Sequence, residues 1–398
     1  MYKKIIAVTL AAVISTVSAG ICASASEIDS RDLNGDGKFD VQDVTYLQVE
    51  LADVGSFINS GNNESTADEA GKNSSDDELS QDTDQSISAG LRFDINGDGV
   101  ININDVTYLQ KQISEASLSE LENNTKISVS SSELYKNVCD TFTIDVETNN
   151  SLSQMSFTTS DSSVAKIVSV DKHSVRLKAN KVGTSTVTIK QCKETCTVKV
   201  KVDRAKCIDL SLWNGDIDFG RVKRSGINCV ILRAGYGKDP NQEDEKFQEY
   251  YRDAKAAGLN VGAYWYSYAT SANQAKQEVE NCMKTIRGKE FELPVFYDVE
   301  EYRMAILPRR TLTDVISAFC DGIRSNGFEA GMYSAESMLM DSAYPDEISS
   351  KYLVWMSSPS KSYSELPSFV DIHQYSFSGS VDGIPEKVDM NYIYNLNT

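Results

Sequence analysis

From residue 207 onward, short apolar runs alternate with amphipathic ones, and this alternation restricts the backbone more than any other feature of the 398-residue chain. Cys229-Val230-Ile231-Leu232 is apolar on both faces, as a strand covered on both sides must be. Phe247, Tyr251, Ala254 and Gly258 follow at helical spacing, and residues 261–268 read as the next strand. Strand-helix units repeated over about 190 residues imply a parallel sheet, either open or closed into a barrel. A full eightfold barrel takes about 250 residues, so some of its helices are expected to be missing.

One of these strands, Leu293-Pro294-Val295-Phe296-Tyr297-Asp298-Val299-Glu300, ends in two acids. Side chains alternate along a strand, so Asp298 and Glu300 share a face, and at a strand's C-terminal end that face opens into the site of a parallel barrel. Two carboxyls brought together there raise at least one pKa, which keeps a proton available near neutrality. Two further strand ends carry acids: Asp209 in Cys207-Ile208-Asp209-Leu210-Ser211, and Asp389 in Val388-Asp389-Met390-Asn391. Each alone fits an N-cap or a hydrogen-bonded core carboxylate equally well, but three in one domain favour a site. His173 and His373 are the chain's two histidines, and neither neighbours a nucleophile-elbow sequence. Ser-His-Asp and Cys-His hydrolases are thereby disfavoured, which leaves carboxylate chemistry.

These residues resemble the lysozyme family known as glycoside hydrolase family 25. The likeness is carried by Ile208-Asp209-Leu210-Ser211 with Trp213-Asn214-Gly215, by Ile231-Leu232-Arg233-Ala234-Gly235-Tyr236-Gly237, and by Ala256-Ala257-Gly258-Leu259 with Val261-Gly262-Ala263-Tyr264. Tyr297-Asp298-Val299-Glu300 and Gln374-Tyr375 ahead of Val388-Asp389-Met390-Asn391 complete it. The resemblance implies a distorted β/α barrel over residues 206–398 that hydrolyses the β-1,4 bond between N-acetylmuramic acid and N-acetylglucosamine in peptidoglycan. It implies Glu300 as general acid, Asp298 as its close partner, Asp209 and Asp389 as the remaining acids, and retention of configuration. Asp298 is either the nucleophile or the group that orients the substrate's own acetamido group, with the second route favoured. Tyr264, Tyr266, Trp355 and Tyr375 are candidate sugar platforms, with barrel packing as their alternative use, and Asn391 is a candidate substrate contact. Arg233 is a candidate for holding a carboxylate in place. A barrel that only binds glycan, and a hydrolase of another N-acetylated glycan such as chitin, are the alternative readings.

Nearer the N-terminus a twelve-residue loop occurs twice. Asp32, Asn34, Asp36, Asp40 and Asp43 in the first copy, and Asp94, Asn96, Asp98, Asn102 and Asp105 in the second, put side-chain oxygens at loop positions 1, 3, 5, 9 and 12. Glycine at position 6 permits the sharp turn, and the Lys38 and Val100 carbonyls complete the oxygen set that calcium requires. Each loop runs into the same Val-Thr-Tyr-Leu-Gln helix start. The duplication resembles a dockerin, expected over residues 28–118, which implies two structural calcium ions and a cohesin on a scaffolding protein as partner. The recognition positions that follow are Val41, Gln42, Gln48 and Val49, with Ile103, Asn104, Gln110 and Lys111 in the second copy. Residues 56–90 between the copies are acidic and rich in Ser, Asn and Gly, the composition of a flexible insert. Residues 125–203 show period-two alternation in short runs, as in an antiparallel sandwich, and resemble a bacterial immunoglobulin-like domain.

Residues 1–25, with Lys3 and Lys4 before an apolar run and Ala23-Ser24-Ala25 at its end, read as a secretory leader. The expected location is therefore extracellular, either free or held at a cell-surface scaffold. No other run is long enough for a membrane span. The formal charge of −19 argues against a nucleic-acid partner. Cys192 and Cys196 are spaced to bridge a hairpin, with a zinc site as the rival, and Cys229, Cys282 and Cys320 read as core residues. No cofactor is expected for catalysis.

Overall fold

The computed structural model describes residues 31–60 and 93–397, apart from the side chains of residues 53–60. The expected leader, and residues 61–90 of the expected insert, lie outside the described residues. The chain divides after Thr125 into two compact units.

In the first unit α1 (Val41–Ser60) and α2 (Ile103–Asn123) follow the two loops. Helix α1 runs to Ser60, so residues 56–60, expected in the insert, are helical instead. Leu33, Val44, Leu47, Val106, Leu109 and Ile113 form the core, each loop helix contributing the same apolar positions. The last loop residue doubles as a helix cap: the Asn102 amide donates to Asp105 Oδ2 at 2.8 Å while Asn102 Oδ1 accepts from the Asn104 amide at 2.7 Å. Asp40 and Asp43 repeat this at α1.

The second unit opens with eight strands: β1 (Ile127–Val129), β2 (Glu133–Asn137), β3 (Thr141–Thr148), β4 (Met155–Thr159), β5 (Ala165–Val170), β6 (Ser174–Ala179), β7 (Gly183–Gln191) and β8 (Glu194–Asp203). They build two four-stranded sheets, β1-β3-β6-β5 and β2-β8-β7-β4. Strand β3 alternates buried Phe142, Ile144 and Val146 with exposed neighbours, the pattern its sequence carries. The β7–β8 hairpin pairs Ile189 with Cys196 and leaves Cys192 in the turn, and no disulfide joins them, so the bridge suggested by their spacing is not formed.

Only Arg204 separates β8 from β9 (Ala205–Leu210), the first barrel strand. Strands β10 (Cys229–Tyr236), β11 (Asn260–Tyr266), β12 (Val295–Asp298), β13 (Ala330–Ala335), β14 (Leu353–Ser357), β15 (Ile372–Gly379) and β16 (Val388–Ile393) close the barrel in the order β10-β11-β12-β13-β14-β15-β16-β9. Neighbours are parallel except at β16, which runs antiparallel to both β15 and β9. Helices α3 (Phe219–Arg224), α4 (Phe247–Ala256), α5 (Ala272–Ile286), α6 (Tyr302–Ala305), α7 (Arg309–Ser325), α8 (Glu336–Ser342) and α9 (Pro345–Ser349) cover the connections as far as β14. A single 3-10 turn at Tyr363–Glu365 joins β14 to β15, and β15 and β16 form a hairpin, so the expected loss of helices falls on the last two connections.

Strand alternation sorts the barrel side chains into two apolar clusters. Val230, Leu232, Val261, Val295, Tyr297, Met332 and Val354 pack outward under the helices. Cys207, Cys229, Ile231, Phe296, Trp355, Ile372 and Ile393 fill the interior, and Val138, Cys139 and Leu177 of the sandwich continue that same cluster. Cys139 Sγ lies 3.3 Å from Cys229 Sγ at the first residue of β10, so the sandwich seals the barrel's N-terminal end. Sandwich and barrel, separated by composition in the sequence, therefore share one core. The opposite, C-terminal end is left open for a site.

Candidate active site

In β12 Val295 and Tyr297 face the helices, and Phe296 lies inside against Trp355 at 5.4 Å between ring centroids. The same parity turns Asp298 inward, and Glu300 comes two residues later on the same side, exposed at the mouth. Asp298 is 5% exposed, and its Oδ1 has no hydrogen-bond partner. Across the barrel the antiparallel seam sets Asp389 of β16 directly opposite Asp209 of β9. The four acids anticipated from the sequence thus stand on three strand ends around one pit.

Amides tie the pit together. Asn391 Nδ2 donates to Asp209 Oδ2 at 2.8 Å, and Gln374 Nε2 donates to Asp209 Oδ2 at 3.2 Å and to Asp389 Oδ2 at 3.4 Å. Behind them Trp355 Nε1 donates to Asn391 Oδ1 at 2.8 Å and the Tyr333 hydroxyl donates to Gln374 Oε1 at 2.7 Å. Each amide therefore has its oxygen occupied from below and its NH2 group turned towards the acids. This fixes which atoms meet the carboxylates.

Burial and like charge hold protons in the pit. The Asp209 carboxyl is pushed up to about 7 by burial, then by Asp389, against the pull of Asn391 and Gln374. Asp298 is raised well above the usual carboxylate range by burial, by Glu300 and by Asp209, with Arg233 opposing. Glu300, though open to solvent at the mouth, is raised by the protein around it that displaces water, then by Asp389 and by Glu301, with Tyr266 opposing, and burial raises Asp389. Such a set supplies a carboxylic acid that stays protonated near neutrality beside others able to carry charge. Arg233 does hold a carboxylate: its Nε donates to Asp244 Oδ2 at 2.6 Å, and Asp244 also accepts the Leu212 amide at 3.2 Å, fixing the turn after β9.

The aromatic candidates separate. Tyr266 reaches the mouth, where its hydroxyl donates to Glu301 Oε1 at 3.0 Å. Tyr264 is half-buried below it, edge-on to Trp355. Trp355, 2% exposed, supports Asn391 from inside and offers no face to a sugar. Tyr375 takes the parity opposite to Gln374 and stacks on Tyr392 at 4.5 Å on the outside of the barrel. Asn391 is itself fully buried, so it acts on Asp209 rather than at the surface. Exposed aromatics that sequence reasoning passed over stand at the C-terminal ends of barrel strands: Trp213 and Tyr302, each 75% exposed, and Tyr268 and Phe377. Their place within two to four residues of a strand end was the available signal.

The N-terminal loops are built alike. Asp32 Oδ2 accepts the Gly37 amide at 2.8 Å, as Asp94 Oδ2 accepts that of Gly99 at 2.9 Å. Asn34 and Asn96 accept from Asp36 and Asp98, and these in turn from Lys38 and Val100. Asp43 and Asp105 are fully buried and clamp the loop backbones. Among the described residues no group of three acid, His or Cys side chains converges as a formed metal site. The donors are nevertheless all hard oxygens, and the buried Asp94 Oδ1 has no partner, which suits a cation such as calcium.

Residues 208–384 match the model of the glycosyl hydrolases family 25. The chain is 28% identical over 189 residues to an autolytic lysozyme of Clostridium acetobutylicum, a match taking in 47% of this chain and 55% of that protein. It is 31% identical over 70 residues to lysozyme M1 of Streptomyces globisporus, covering 18% of this chain and 23% of the other. The chain thus spans about half the length of the first curated relative and less of the second. Among solved structures, the bacterial lysozyme of Streptomyces coelicolor is similar at 23% identity and a TM-score of 0.44, over 48% of this chain and 92% of that one. The modular autolysin LytC of Streptococcus pneumoniae is similar at 22% identity and a TM-score of 0.44, over 58% and 57%.

Proposed function

We propose that this barrel, a domain of glycosyl hydrolases family 25, is a muramidase that cuts the β-1,4 bond between N-acetylmuramic acid and N-acetylglucosamine in peptidoglycan. The observation that carries the reading is the pit of four acids, Asp209, Asp298, Glu300 and Asp389, at the open end of the barrel. Glu300, exposed at the mouth with a raised pKa, protonates the departing glycosidic oxygen. Asp298, buried with Oδ1 unpartnered, accepts the N–H of the sugar's 2-acetamido group. That hydrogen bond aims the acetamido oxygen at the anomeric carbon, to which it bonds as the leaving group departs. Water then opens the ring so formed, with ionised Glu300 taking its proton, and configuration is retained. Asp389 helps keep Glu300 protonated by its charge, and Asp209, gripped by Gln374 and Asn391, lines the subsite beside it.

The same proposal makes the protein a secreted enzyme. Its loop pair is a dockerin that binds two calcium ions through Asp32, Asn34, Asp36, Asp40 and Asp43 and through Asp94, Asn96, Asp98, Asn102 and Asp105, and attaches to a cohesin. The sandwich, of immunoglobulin-like type, forms the base on which the barrel stands. Mass spectrometry of muropeptides released from purified peptidoglycan tests the catalytic reading. The wild type is expected to release fragments with a reducing N-acetylmuramic acid end, and Glu300→Gln none. Equal, negligible release from both would leave a glycan-binding barrel in its place.

A further inference from the structure

Glu278 of α5 is fully buried, yet it touches none of the four pit acids. Its carboxylate accepts three hydrogen bonds: from the Tyr297 hydroxyl at 2.6 Å, from Ser267 Oγ at 3.0 Å and from the Tyr268 amide at 3.0 Å. Ser267 Oγ also lies 2.7 Å from the Tyr297 hydroxyl and accepts the Ala269 amide at 3.1 Å. Burial raises the Glu278 carboxyl and these donors pull it down. No cation is paired with it among the described ion pairs. A lone carboxylate in this position is costly to bury, so the fold retains it for its geometry.

All its donors come from the ends of two neighbouring strands at the site, β11 and β12. Ser267 and Tyr268 directly follow β11, whose last residue, Tyr266, holds Glu301. Tyr297 directly precedes Asp298 and is stacked on Phe319 of α7 at 4.0 Å. The Ser267 amide donates to the Asp298 carbonyl at 3.0 Å, which closes the circuit between the strands. Beyond the clamp, the Tyr268 ring stands 5.2 Å from Tyr266 and 6.4 Å from Tyr236, an aromatic wall beside Glu300.

We propose that Glu278 is a positioning residue, a buried carboxylate clamp that sets the ends of β11 and β12 so that Asp298 and Glu300 meet an N-acetylated sugar ring laid against the Tyr266 and Tyr268 wall. The kinetic part rests on the muramidase reading; the clamp itself does not. A carboxylate accepts from all three donors at once, whereas an amide presents its NH2 group to at least one of them and splays the ends.

The test uses the full chain with Glu278→Gln and, as the milder change, Tyr297→Phe, which removes only one hydroxyl. Turnover of purified peptidoglycan is measured alongside hydrogen exchange of the backbone amides. The expected result is a fall in kcat on the order of 10- to 100-fold in Glu278→Gln with little change in KM, as a shift of about 1 Å in a reacting group produces. Exchange speeds up at Tyr268, Ala269 and Val299 and stays unchanged in the sandwich. Wild-type kcat in both variants overturns the proposal. So does a loss that tracks uniformly faster exchange, which marks general destabilisation. If the wild type itself turns nothing over, the muramidase reading fails and exchange alone decides: locally faster exchange supports the clamp, and unchanged exchange overturns it.

Discussion

Asp209→Asn isolates the electrostatic cost of building the pit. Displacement of the Asp209 carboxyl from 3.8 to about 7, at about 1.4 kcal/mol per pH unit, makes its ionised form cost the fold about 4 kcal/mol. The side chain is half-buried and water reaches the mouth, so about half of that, roughly 2 kcal/mol, is the expected measurable part. The sign follows from linkage: a folded pKa above the unfolded one gives stability that is complete below about 4 and lost as pH rises through about 7. Asparagine keeps an oxygen to accept from Asn391 and Gln374 and carries no charge opposite Asp389. Thermal unfolding followed by circular dichroism should give equal melting temperatures near pH 4. Above pH 7 the variant should melt higher, by about 4–8 °C for a unit of this size. Turnover of peptidoglycan should fall in the same variant, because stability and the proposed acid site are opposed here. A melting difference that does not change with pH, or that favours the wild type at high pH, refutes the reasoning.

Glu300→Gln removes the proposed proton donor, and turnover of peptidoglycan should drop about 10²- to 10⁴-fold with folding intact by circular dichroism. Asp389→Asn takes away the leading charge that raises Glu300, so the alkaline limb of the pH profile of kcat/KM should move to lower pH, and a limb that stays put or moves up contradicts the assignment. Calorimetric titration with calcium should show two sites in the wild type and none in Asp36→Ala with Asp98→Ala. At Gly331 an added Cβ would stand 2.5 Å from Phe296 Cε1, so Gly331→Ala should cost about 1–3 kcal/mol in denaturant unfolding.

The four acids were legible in the sequence because strand periodicity and strand-end position are local properties: Asp298 and Glu300 share a face whatever surrounds them. The parity of β15 was not legible. Its sequence, Ile372-His373-Gln374-Tyr375, does not show which face is covered, so Tyr375 looked like a platform and the inward residue proved to be Gln374. Trp355 misled for a related reason, since an aromatic near a strand end can serve a sugar or a neighbouring amide, and here Asn391 takes its indole N–H. Sandwich and barrel read as separate domains because composition changes between them, while the shared core around Cys139 and Cys229 joins residues 90 positions apart.

What the sequence by itself determined is the inventory: alternating strands and helices, too few residues for eight complete units, acids at three strand ends, and a duplicated oxygen-rich loop. Closure of the barrel, reversal of β16 and the resulting opposition of Asp389 to Asp209 were decided only in three dimensions. So were the grips of Gln374 and Asn391 on Asp209, made across separations of 165 and 182 residues. The physical reason is that a carboxyl's readiness to hold a proton depends on how much water is excluded and which charges come near, and both are set by residues distant in the chain.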